Sequence, residues 1–538
     1  APLHHTPHAQ HAPLPAAAMG TRLLRDPINP GMAAEIQRRE RDSDRTEKLF
    51  SHLLSYIHKA LPDPPVSAAG RLSALLPHDD VDRVSRLPDS LLRDIVSRLP
   101  VKDAARTAVL SHRWRGVWRS APLVLVDNDL LPVAGTAVSL HDARHVPSAV
   151  SRVLAAHPGP FRCIHLTTSY MEKFQGPLLR WLQLLAVKGV QELVLANRPW
   201  PLDLRLPSVV LSIATLTRLY LALWKFPDTA GLPKTTSFPN LRELGLCSVV
   251  LENCVLDFIL ARSPVLETLC LQSNMLMDRL TIISPSLQCV HVIASYNLEI
   301  TVEKAPHLER LIIWVQSTCK GGSRNSNTVK IGIGHAPALS CLGYLEPEYH
   351  TLQVGGTTIK TGTKVSPRTM VPTVKILALK IRFGVRSEAK MLPCFLRCFP
   401  NVETLHIESK KTAESTSKLT LEFWEQSGAI ECIRSSVKLV IFQNFRGDDC
   451  EIRFLEFLLK SARMLSKLVI VYGKDTFTSL TEVESIVEPV FDLIWASKCC
   501  SLLLVASALA EGDGLEILNI RRGSDLSIND PFAFAGEV

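Results

Sequence analysis

Residues 238–248 read FPNLRELGLCS, and the six letters from Leu241 to Leu246 place leucines first, fourth and sixth. In an extended chain successive side chains point to opposite faces, so Leu244 and Leu246 turn one way and Gly245 the other. The same unit stands as VQELVL at 190, LTRLYL at 216, LETLCL at 266, LQCVHV at 287 and LERLII at 308. It continues as LSCLGY at 339, VKILAL at 374, VETLHI at 402 and LSKLVI at 465. The first six steps are 26, 25, 25, 21, 21 and 31 residues. Units of that period each supply one short parallel strand, and stacked neighbours share a core that no unit forms alone.

This is the pattern of an irregular leucine-rich-repeat solenoid, an α/β architecture with parallel strands, expected over 160–498. Uneven steps after 308 imply insertions, and QSTCKGGSRNSNTVKIG and VGGTTIKTGTKVSPRT read as polar loops. The residue between the last two apolar positions of each unit faces the concave side. That row contains Tyr220, Gly245, Cys270, His291, Ile312 and His406, with Trp224 and Trp314 nearby. Tyr220, Trp224, His291, Ile312, Trp314 and His406 are the candidate contacts to a bound substrate, since exposed aromatic and aliphatic groups suit a protein partner.

The first 80 residues lack apolar periodicity, apart from one possible helix with Leu49, Leu53, Ile57 and Leu61 spaced by four. Met19 and Met32 are possible starts of the native product. Between them and the repeats lies LPDSLLRDIVSRLPVKDAARTAVLSHRWRGVWRS, residues 87–120. Pro88 and Asp89 favour a helix start, and Pro100 ends that helix because it lacks an N–H and disfavours helical backbone at Leu99. Two further short helices follow, the last carrying Trp114 and Trp118 one turn apart. Three helices in some forty residues cannot bury all this apolar surface among themselves, so part of it should meet another surface.

The net charge of +8 is concentrated here: residues 83–119 hold nine Lys or Arg against three Asp, an excess of +6. A basic surface steers acidic partners. A recognition helix for DNA would present polar base-reading side chains on one face, whereas the third helix presents two tryptophans, so no nucleic-acid partner is expected. Thirteen cysteines contain no Cys-x-x-Cys pair, so no metal site is expected and reduced thiols are. GGTTIKTGTK from Gly355 misses the lysine a phosphate loop needs, and no Gly-x-Ser-x-Gly or His-Glu-x-x-His occurs. No catalytic residues, cofactor or membrane span are expected; the greasiest run, Cys499–Ala510, falls short of the roughly 18 apolar residues a span needs.

The segment 82–127 resembles an F-box of the plant type. The matching residues are Leu87-Pro88-Asp89, Leu91-Leu92, Ile95, Leu99-Pro100, Lys102-Asp103-Ala104, Arg106-Thr107, Leu110-Ser111, Arg113-Trp114 and Trp118. The repeats, and an FBD-like part near 437–498 containing EIRFLEFLLKSARMLSKLVIVYG, resemble the rest of plant F-box/leucine-rich-repeat proteins. Residues 499–538 are expected to be a poorly defined extension. The resemblance implies a non-enzymatic substrate receptor of a Skp-cullin-F-box E3 ubiquitin ligase, cytoplasmic and/or nuclear. The F-box would dock a Skp-type adaptor, and through it a cullin and a RING subunit, while the repeats hold a protein substrate. An adaptor-binding scaffold without ligase activity is the alternative. Carried over from the family, Leu87, Pro88, Leu91, Ile95, Leu99, Pro100, Val109, Leu110 and Trp114 would contact the adaptor, and Trp118 would pack inside the helical unit.

Overall fold

The computed structural model describes residues 57, 61–65, 82–131, 145–168, 175–197, 204–229, 231–233, 235–274, 276–293, 295, 298–314, 328–364, 366–411, 419–473, 476–477, 479–507 and 523–533. Ahead of the sheet, within residues 82–131, stand three short helices: α1 (Asp89–Ser97), α2 (Val101–Thr107) and α3 (His112–Ser120). Pro88 and Pro100 stand at the N-cap positions of α1 and α2, where a missing N–H costs nothing. The Ser111 hydroxyl caps α3 by accepting the Trp114 N–H at 3.3 Å.

Fourteen parallel strands then stack in one sheet. They are β1 (Leu123–Val126), β2 (Phe161–Leu166), β3 (Glu192–Ala196), β4 (Arg218–Ala222), β5 (Glu243–Cys247), β6 (Thr268–Gln272), β8 (Cys289–Ile293), β10 (Arg310–Trp314), β12 (Cys341–Leu345), β15 (Ile376–Ile381), β16 (Thr404–Ser409), β17 (Leu439–Phe445), β18 (Lys467–Gly473) and β19 (Ser501–Ser507). The strands β7 (Arg279–Ile283), β9 (Glu299–Lys304), β11 (Val329–His335), β13 (His350–Val354) and β14 (Thr357–Thr358) form a second sheet. The insertions after 308 are therefore not simply polar loops: Val329–His335 and the hairpin turning at Gly355-Gly356 (φ +54° and +82°) are sheet. Their Ile331, Ile333, Leu352 and Val354 pack into the main core.

One apolar core runs from Leu92 and Trp114 of the front helices, through Leu244 and Leu246, to Val490 near the far end. The front helices are thus built onto the first strand, and the segment boundary drawn at 127 falls just after β1, which already belongs to the long sheet. The opposite face of the sheet carries its own cluster, including Tyr220, Cys270, Ile312, Trp314 and Tyr344. Ile57, Leu61 and Phe532 join that cluster, so parts of both outlying regions are seated on the sheet. The C-terminal extension differs from expectation in the same way: Ser501–Ser507 pairs in parallel with β18 and 523–533 packs on the sheet. The rest of the possible helix before Ile57 lies outside the described residues.

Candidate functional site

Two regions concentrate unusual surface. On the front helices, residues at i and i+4 share a stripe, so Leu92 and Val96 (both fully buried) face the core while Leu91 and Ile95 face outward. Leu91 is 50% exposed, Ile95 37%, Val109 81% and Leu110 65%. Pro88 is also exposed, and Leu87, Leu99 and Pro100 are half-buried, with the two leucines leaning on the core. Trp114 departs from the expected contact set: it is buried, and its indole N–H donates to Ser85 Oγ at 3.2 Å. Its ring is therefore core of the helical unit rather than open surface. Trp118 sits half-buried with its ring edge-on to His157, 5.1 Å between centroids.

Arg113 fixes the entry of α1. Its guanidinium donates to the carbonyls of Ser85 and Leu87 and pairs with Asp89 at 2.7 Å. Asp94 pairs with Arg98 at 3.0 Å and Asp103 with Arg106 at 2.7 Å. All three acids of the segment are thus already engaged by arginines inside it, and its positive excess faces outward.

The second region is the sheet face opposite the helices. Strand register places Tyr220, Gly245, Cys270, His291 and Ile312 directly beside one another on β4, β5, β6, β8 and β10. His406 aligns with Ala378 on β15 and Ile441 on β17. The row is not open, however: Tyr220, His291, Ile312, Trp314 and His406 are each at most 3% exposed. Tyr220 lies over Gly245, where an added Cβ would meet its ring at 2.1 Å, and its hydroxyl donates to Glu243 at 2.6 Å. Trp224 does not join that row. Leu223 adopts left-handed backbone (φ +63°), which turns Trp224 back into the main core, where its N–H donates to Leu195 O at 3.1 Å.

What covers the row between β8 and β16 is residues 523–533. Arg310, 5% exposed, donates to the carbonyls of Gly523 and Asp525 (both 3.0 Å), Leu526 and Ile528. Gly523 lies against His291, and an added Cβ there would meet the ring at 2.0 Å. At the other end Asp530 Oδ2 meets His406 Nε2 at 2.9 Å. Phe532 sets its ring edge-on to Tyr344, 5.1 Å between centroids, and tilted against His406 at 5.5 Å. Beneath them Lys380 lies 3.7 Å from the Trp314 ring centroid and pairs with Glu408 at 3.2 Å. Burial pushes the Asp530 carboxyl up, but the His406 charge and the N–H groups of Phe532 and Ala533 outweigh it and hold it below the usual range. Burial, with Arg310 nearby, drops His291 to about 4.

Arg310, Tyr344, Lys380, Asp530 and Phe532 were absent from the sequence-derived set. Tyr344 escapes the alternation because Gly343 (φ +148°) breaks the register between β12 and β15. Among the described residues no three His, Cys, Asp or Glu side chains gather as a metal site. No described helix is long and apolar enough to cross a membrane.

Front helices built onto a long parallel sheet define a class, a repeat protein with a helical module ahead of its repeats. Comparison with known proteins gives the family. Residues 84–125 match the F-box domain, 425–470 the FBD domain, and 178–407 the family described as "FBD-associated F-box protein At5g56370, LRR repeats". The chain is 24% identical over 427 residues to F-box/LRR-repeat protein 13 of Arabidopsis thaliana, covering 73% of this chain and 90% of that protein. It is 24% identical over 421 residues to the F-box/FBD/LRR-repeat protein At5g22660 of the same plant, covering 72% and 89%. F-box/LRR-repeat protein At3g26922, also from that plant, is 30% identical over 212 residues, 38% of this chain and 65% of that protein. The chain carries F-box, leucine-rich-repeat and FBD domains and is similar to plant F-box/FBD/LRR-repeat proteins. Its domains fit an F-box substrate receptor in general, and an F-box implies binding of a Skp1-type adaptor.

Proposed function

We propose that the chain is the substrate-receptor subunit of a Skp-cullin-F-box E3 ubiquitin ligase and is not itself an enzyme. The observation that carries this is the apolar patch of Leu91, Ile95, Val109 and Leu110, left outward on a unit whose inner stripe is already buried. Exposed apolar side chains set among charged ones are the makings of a protein interface. The arginines around the patch suit an acidic partner, and their own acids are already engaged. In this reading Leu87, Pro88, Leu99 and Pro100 form the margin of the contact. Trp114 acts from beneath, holding α3 against Ser85 so that Val109 and Leu110 are presented. The ligase chemistry resides on the cullin and RING subunits, and the repeats select the protein to be modified.

Co-expression with a Skp-type adaptor, a cullin and a RING subunit tests this. The reading requires the four to co-purify and to extend ubiquitin chains on a protein captured by the repeats. Adaptor without cullin would make the chain a non-ligase scaffold, and no adaptor would end the reading.

A further inference from the structure

The row predicted to meet substrate is filled by the chain's own residues 523–533, which lie 124 to 234 positions from the side chains they bond on the strands. The contact has three properties of a recognition site. First, Arg310 is a buried cation whose guanidinium, among the described residues, bonds only backbone carbonyls of one segment and has no carboxylate within salt-bridge distance. Residues 523–528 are turned so that these four carbonyls converge, with Ile528 N–H donating to Asp525 O at 3.1 Å, and carbonyls are common to every peptide, so this end holds a backbone turn whatever its side chains. Second, the other end is selective. His406 meets the Asp530 carboxylate, and two residues on, the Phe532 ring (2% exposed) enters the wall formed by Tyr344 and Trp314. An Asx-type turn, with Asp530 Oδ1 accepting the Phe532 N–H at 2.9 Å, sets the spacing of carboxylate and ring. Third, the fit is partial. Asp525, Leu526, Ser527 and Asn529 remain exposed, whereas Gly523, Pro531 and Phe532 are buried. His291 Nδ1 and His406 Nδ1, on two side chains that the segment touches, have no hydrogen-bond partner among the described residues.

We propose that the face between β8 and β16 is a peptide-binding groove and that residues 523–533 occupy it as a built-in pseudosubstrate. Its ligand is a turn-forming protein segment bearing a carboxylate two residues ahead of an aromatic ring. Arg310 grips the backbone, His406 reads the carboxylate, and the Tyr344–Trp314 wall takes the ring. An incoming segment of this kind competes with the resident one, so the receptor is closed to weak ligands and opens to those that match better. This deepens the receptor reading above and rests on it.

The probe is the labelled synthetic peptide GSDLSINDPFA, the sequence of residues 523–533, titrated by fluorescence anisotropy against the full chain. The Asp530→Ala/Phe532→Ala chain, freed of its resident anchors, is expected to bind it at least tenfold more tightly than the unaltered chain. A peptide with the same two positions replaced is expected to lose at least tenfold on that chain. If the double variant does not melt cooperatively, Asp530→Asn, which keeps the shape and removes the charge facing His406, carries the comparison with an expected gain of about fivefold. Equal affinity for altered and unaltered chains, or no saturable binding to a cooperatively melting variant, overturns the proposal. Adaptor capture is read on the same preparations. Capture without peptide binding sinks the groove alone, and peptide binding without capture sinks the ligase reading alone.

Discussion

Truncating Val109 and Leu110 together gives the sharpest test of the docking patch. The two side chains stand at the turn between α2 and α3, 81% and 65% exposed, and neither belongs to the core clusters. Fully burying an aliphatic side chain contributes about 1.5–3 kcal/mol. Scaled by the exposed fractions, Val109→Ala/Leu110→Ala should remove about 2–3 kcal/mol of adaptor binding, roughly a 30- to 150-fold rise in Kd. The fold should be unaffected, because these atoms already face water: the melting temperature is expected to move by no more than a degree or two. Isothermal titration of a purified Skp-type adaptor into the chain reads the first quantity, and circular dichroism the second. A Kd within threefold of the unaltered chain, at unchanged melting, would refute the argument that the patch is the contact.

Trp114→Ala should behave in the opposite way, lowering stability by about 3 kcal/mol or more through a cavity beneath α3, which urea unfolding detects. Arg113→Ala removes the clamp on Ser85, Leu87 and Asp89; partly exposed, it should cost about 1–2 kcal/mol of front-module stability, read as earlier local hydrogen exchange at residues 84–92. Gly245→Val drives a side chain into the Tyr220 ring and should cost about 1–3 kcal/mol, seen as a lower urea midpoint. Burial holds His165, His291 and His350 at about 4, against an ordinary value of 6.5. The unfolded chain therefore binds protons in this window that the folded chain refuses, so stability present above pH 6.5 is lost as pH falls toward 4, by up to roughly 3 kcal/mol per histidine. Urea midpoints at pH 7 and pH 5 read this, and a midpoint that does not fall would contradict it.

The solenoid was legible because its signal is periodic and local. A two-residue alternation inside a unit of about 25 residues placed Tyr220, Gly245, Cys270, His291 and Ile312 in one row, which the strand register reproduces. The exceptions are backbone events that the alternation does not encode. Left-handed Leu223 sends Trp224 to the core, and Gly343 brings Tyr344 onto the face. Leu91 and Leu92 are adjacent in the same helix, and only the packing of α1 against the rest decides that Leu92 is buried and Leu91 is not. Least legible was the cover over the row. Arg310 and Ile528 are 218 positions apart, and no periodicity links a segment such as SINDPFA to the strands beneath it. The second sheet was hidden for a related reason: β11 and β14 fall in or at the edge of stretches rich in Gly, Thr and Lys that read as turns, while β7, β9 and β13 lie between the repeat units.

The central claim is that the outward apolar face of the F-box, and not the solenoid, receives the adaptor. Hydrogen–deuterium exchange of the full chain with and without a Skp-type adaptor addresses it directly. The account predicts slowed exchange across residues 87–99 and 106–112, with the strands β3–β18 unchanged. Protection confined to the strands, or none in α1 and the turn before α3 while adaptor is bound, would contradict it.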